Sequence, residues 1–116
     1  MKRVAQFLIE SGMLVLNPSI EHTDLILKVL KSTYGIESIN YPLLHVFLTY
    51  REGSSNKFHL FVVFKNEDEY IGANAYGRIG YSPKVITIAE GKNQMEVVGL
   101  VKRKIAEKMR KGYVEE

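Results

Sequence analysis

Residues 57–64 read KFHLFVVF. If this run is a strand, Phe58, Leu60, Val62 and Phe64 point one way while His59, Phe61 and Val63 point the other, because successive side chains alternate between the two faces. Both faces are then largely apolar. A strand of that kind belongs in the middle of a sheet that is covered on both sides, and the rest of the chain must supply the two covers.

The neighbours of this run supply the sheet. LLHVFLTY (43–50) lies upstream across REGSSN, a stretch of turn formers, and the two runs predict a hairpin in which His45 and His59 meet across the strands. Downstream, the charged turn KNEDE leads to YIGANAY, and GRIGYSP leads to KVITIA (84–89), so an antiparallel meander is expected. From Asn93 the period becomes helical. Met95, Val98, Val101, Ile105 and Met109 form one stripe, Arg103, Lys104, Arg110 and Lys111 fall on the far side, and Gly112 ends the helix.

The N-terminal 44 residues supply a second helix. In NPSIEHTDLILKVLKSTYG, Asn17 suits a cap, Pro18 the first helical position, Ile26, Val29 and Leu30 one face, and Gly35 the stop. MLVL (13–16) reads as a strand. Lys2 to Ser11 carries apolar residues at helical spacing before Gly12, and a strand fits it nearly as well. The expected fold is therefore α+β: an antiparallel meander with a C-terminal helix packed across it, plus a small N-terminal α/β extension (1–44). At 116 residues, with no repeat and no long linker, residues 1–116 are expected to form a single domain.

Composition narrows the function. There is no cysteine, which excludes disulfides, thiolate metal sites and cysteine nucleophiles and fits a reducing, cytoplasmic setting. No apolar run reaches the ~20 residues of a membrane-spanning helix, and MKRVAQFLIESG is read as structure rather than as a signal peptide. Charge is placed unevenly. Residues 1–91 hold nine basic and nine acidic side chains, whereas residues 92–116 hold seven basic and four acidic, so the whole net charge of +3 sits at the C-terminal end.

No enzyme motif is present. His22, His45 and His59 lack metal-ligand spacing, no serine sits in a nucleophile elbow, and no P-loop or dinucleotide loop occurs, so neither a reaction nor a cofactor nor a metal is expected. A binding constellation stands out instead in AYGRIG (75–80). Tyr76 offers a stacking face, Arg78 a fork of donors for phosphate or carboxylate, and Gly77 and Gly80 allow close backbone approach. Alternation from Tyr70 puts Tyr76 with Asn74 on a face opposite Ile71, Ala73 and Ala75. Two outcomes stay open: Tyr76 and Arg78 form a surface site, or Tyr76 packs on the sheet while Arg78 pairs with Glu69 or Glu90.

Three motifs in order, NKFHLFVVF, AYGRIG and a basic helix ending KRKIAEKMRKGY, resemble the WGR domain over about residues 45–116. In that family an NKFY-type strand precedes WGRVG or WGRIG, and many members end in a helix closing on KGY. Tyr76 stands here at the tryptophan position, and Ser82 and Pro83 replace the usual Gly-Gln. The resemblance implies a sheet crossed by a helix and a nucleic-acid-binding module, as in the poly(ADP-ribose) polymerases, where the motif meets DNA near a strand break. Carried over, it implies Tyr76 and Arg78 for the motif, Asn56 and Lys57 for the preceding pair, and Arg103, Lys104, Arg110 and Lys111 as auxiliary phosphate contacts. Duplex DNA at ends or nicks is the expected partner, and an acidic protein partner is the alternative.

Overall fold

KFHLFVVF lies within β4 (Ser55–Asn66), the middle strand of a five-stranded antiparallel sheet. The computed structural model of the chain describes residues 7–10, 13–16, 20–39 and 42–115. Ahead of β4 come β1 (Phe7–Glu10), β2 (Met13–Leu16), α1 (Ile20–Tyr34) and β3 (Leu44–Glu52). After it follow β5 (Glu69–Arg78), β6 (Lys84–Gly91), α2 (Gln94–Arg110) and β7 (Val114–Glu115). The sheet order is β6-β5-β4-β3-β7, and β1 and β2 pair in a separate two-stranded sheet.

Both faces of β4 are covered, as its residue pattern requires. Phe58, Leu60, Val62 and Phe64 pack with Phe47, Ile71, Ala73 and Ala75 against Ile26 and Leu30 of α1 and against Ile39. On the other face, Phe61, Val63 and Leu48 pack against Val97, Val101 and Ile105 of α2. Two thin apolar cores thus share one sheet. The β3–β4 connection is a two-residue turn in which Glu52 pairs with Ser55 and Gly53 adopts φ +60°.

Some expectations change. Part of the Lys2–Ser11 segment is a strand: its contiguous FLIE pairs with MLVL from Phe7↔Leu16 to Glu10↔Met13, so ladder pairing outweighs the helical spacing. Asn17 and Pro18 lie outside the described residues, while Gly35 closes α1 at φ +63°. His45 and His59 do not meet, since His45 opposes Val62 and His59 opposes Leu48, which places them on opposite faces.

The apolar stripe of α2 is also different: Val97, Val101 and Ile105 are buried, Met95 is 85% exposed and Met109 is exposed. Gly72 of β5 selects that row. A β-carbon there would overlap Val101 Cγ2 and stand 3.2 Å from Val97 Cγ1, so the helix seats its valines on the bare glycine backbone. Steps of four residues drift by about 40° around a helix, and by Met109 the row has turned away from the sheet.

The end of α2 positions the site. Gly112 N–H donates to Met109 O at 3.1 Å and Tyr113 N–H to Lys108 O at 3.2 Å, the paired bonds of a Schellman turn, with Gly112 at φ +104°. The chain thereby reverses onto the sheet. Tyr113 lands beside Tyr50, and β7 adds to the edge of β3 through Leu48↔Glu115 and Thr49↔Val114.

Candidate functional site

At one end of the sheet the α2 side carries a run of polar and aromatic residues instead of aliphatic ones. Strand register assembles it: Lys57 of β4 opposes Arg78 of β5, His59 opposes Tyr76, and Phe61 opposes Asn74. Directly opposed side chains on one face are neighbours. Two cationic groups therefore sit side by side at the sheet end, with an aromatic pair one step further in.

The aromatic groups form a continuous cluster. The His59 and Tyr76 rings stack at 5.3 Å and 12°, His59 and Phe61 stack at 5.7 Å, and Tyr113 meets His59 edge-on at 4.9 Å. Tyr113 in turn lies 5.4 Å from Tyr50. The KGY ending thus has a structural task, because the turn at Gly112 brings Tyr113 onto His59.

His59 is the buried polar centre. Its Nδ1 contacts the Asn74 amide, at 3.0 Å from Nδ2 and 3.2 Å from Oδ1. Burial lowers its pKa to about 4 against the opposing pull of the Asn74 hydrogen bond, and the positive charges of Lys108 and Lys111 lower it further. A neutral imidazole at pH 7 follows. It leaves the ring flat, uncharged and able to support Tyr76 by stacking.

An open cleft of about 430 Å³ lies over this cluster, lined by Ser54, Ser55, Asn56, Lys57, Phe58, His59, Tyr76, Gly77, Arg78 and Tyr113. All four residues carried over from the motifs, Asn56, Lys57, Tyr76 and Arg78, line it. Lys57 and Arg78 are exposed, and Tyr76 is half-buried. Among the described residues no carboxylate pairs with Arg78. Its guanidinium lies instead over the Tyr81 ring, 5.3 Å from the centroid. Glu69 and Glu90 are remote from it: Glu69 starts β5 and Glu90 opposes Ile71. Tyr76 does pack on the sheet, through His59, and still presents a face to the cleft.

The basic helix contributes differently from its expected arrangement. Lys111, at the C-cap of α2, acts on His59 instead of lying on the far side, and Lys104 lines a neighbouring cavity. Arg103 and Arg110 are exposed and line neither cavity. Lys108, which sequence patterning did not single out, is half-buried and faces His59. Its signal was present as a lysine three residues after Ile105, on the sheet-facing side of the helix.

Fold and site define a class: a small α+β module whose sheet carries, beside a crossing helix, an aromatic platform flanked by cations. Comparison with known families matches residues 44–116 to the WGR domain, and the chain belongs to that family of small, generally non-catalytic nucleic-acid-binding modules. No curated protein and no solved structure matches the chain.

Proposed function

We propose that the cleft binds duplex DNA at an end or a nick, with Arg78 and Lys57 on phosphates and Tyr76 stacking on the terminal sugar or base. The observation that carries this is the convergence of Asn56, Lys57, Tyr76 and Arg78 on one open cleft, with Arg78 unopposed by any described carboxylate. A guanidinium and an ammonium on adjacent strands suit the oxygens of neighbouring phosphates. Lys108, which lines the neighbouring cavity, and the exposed Lys111 add positive potential around His59, and Arg103, Lys104 and Arg110 add a salt-sensitive background. Such contacts recognise the shape of the backbone and not its sequence. The module acts by binding and carries out no reaction of its own.

Anisotropy titration against nicked and blunt duplexes at several salt concentrations tests this. Arg78→Ala weakens binding by about tenfold and makes the slope of log K against log salt shallower by about one. No binding to either duplex at low salt, or an Arg78→Ala variant that binds like the parent, overturns it. Capture of an acidic protein that persists after nuclease treatment, without DNA, would place the cleft in protein recognition instead.

A further inference from the structure

Tyr76 and His59 have cavities on both sides. Beyond the cleft, a second cavity of about 410 Å³ opens between β5, β6 and the last turns of α2, and these two residues line it as well. Its chemistry is distinct. Phe61, Ile86 and Ile88 make its walls apolar, and the Asn74 amide lies within it, nearly fully buried.

An amide has two donors and an acceptor with two lone pairs, so the contact with His59 Nδ1 leaves hydrogen-bonding capacity on Asn74. On the helix side stand Lys104, Glu107 and Lys108. Lys104 Nζ lies 3.8 Å from the Glu107 carboxylate, which offsets its charge there. A phosphate is therefore better placed in the first cleft, where Lys57 and Arg78 line the wall and no carboxylate among the described residues does, and the second, where Glu107 stands between Lys104 and Lys108, suits a planar group with polar edges. Its volume lies within the roughly 300–1,000 Å³ usual for ligand sites.

We infer that the second cavity receives an unpaired nucleobase next to the bound duplex end, so that the chain prefers ends with a short single-stranded overhang over blunt ends. This rests on the proposed binding of duplex ends. Arg78 and Asn74 are four residues apart on β5, about 13 Å at ~3.3 Å per residue, a span that a short stretch of single strand bridges. The strand's phosphates stay with Arg78 and Lys57, and its base stacks on the Tyr76 ring with its edges toward Ile86, Ile88 and the Asn74 amide. Stacking tolerates every base, so the preference is for an overhang and not for a sequence.

The intact chain is titrated at low salt with one duplex in three forms: blunt, with a short 3′ overhang and with a short 5′ overhang. Each overhang carries the fluorescent base 2-aminopurine. One overhang binds about fivefold or more tighter than the blunt end, and its 2-aminopurine emission is quenched. Ile86→Ser, which keeps the charge unchanged at a side chain already 48% exposed, abolishes the preference and the quenching while blunt-end affinity stays unchanged. Arg78→Ala weakens all three forms alike. Equal affinity for the three forms, or a preference that survives Ile86→Ser, overturns the inference and leaves duplex-end binding standing. Failure of all three to bind overturns both.

Discussion

His59 shows how one side chain can serve a site through its neutrality. Three rings surround it and an amide bonds it, but no carboxylate among the described residues balances a charge there, and two lysines oppose one. Its folded-state pKa of about 4 lies below the ordinary value of 6.5. Above pH 6.5 both folded and unfolded chains hold the ring neutral and it adds no pH dependence. Between pH 6.5 and about 4 the unfolded chain takes up a proton that the folded chain refuses, so stability falls as the pH falls through that window and the loss levels off below it. The loss is on the order of 1–3 kcal/mol, since each tenfold difference in proton affinity corresponds to at most about 1.4 kcal/mol and solvent screening reduces it. Urea denaturation from pH 7.5 to 4 checks this by difference, because His59→Gln keeps a partner for Asn74 and removes this part of the slope. The same protonation would set a cation under Tyr76 and beside Lys108, so the aromatic platform is a feature of neutral pH.

At the scale of elements, two glycines decide how α2 meets the sheet. Gly72 lets the helix seat Val97 and Val101 on β5, and Gly112 turns the chain so that Tyr113 reaches His59. Gly72→Ala is expected to cost about 1–3 kcal/mol, the usual penalty of overpacking. Val101→Ala made in the same chain should recover part of it, giving a favourable coupling in a double-mutant cycle read by thermal or urea unfolding. Gly112→Ala should cost about 1–3 kcal/mol for a strained backbone at φ +104°, and its new methyl would press on the Tyr50 ring. If Gly112→Ala leaves stability and the Tyr113 environment unchanged by NMR, the turn is not what places that ring.

For the whole molecule, the notable feature is that the family match begins at residue 44 while one of the two cores depends on residues before it. Ile26, Leu30 and Ile39 are buried against Phe47, Phe58, Leu60, Val62 and Phe64. A fragment of residues 44–116 would expose that face, and it is expected to bind a hydrophobic dye and give poorly dispersed amide spectra, unlike the full chain. In the full chain Leu30→Ala should cost about 2–5 kcal/mol. A fragment that is as stable and as well dispersed as the full chain would show that α1 is dispensable to the sheet.

The two-sided apolar pattern of β4, the turn formers around it and the change to helical period after Asn93 were enough to specify an α+β sheet with a cover on each face, because such patterns are local and repeat at fixed spacing. The order of three short motifs was enough to suggest the family. What lay beyond local pattern were the facts of register. The pairing of Lys57 with Arg78 and of His59 with Tyr76, and the separation of His45 from His59, depend on which residues oppose one another across strands. The helix row that faces the sheet depends on Gly72, a residue distant from it in the chain, so periodicity alone puts Met95 inward and does not single out Lys108. Tyr76 itself was visible as a flat ring beside an arginine. Only tertiary packing supplied the neutral histidine beneath it, because burial, the Asn74 amide and the lysines of α2 act on that ring from separate parts of the chain.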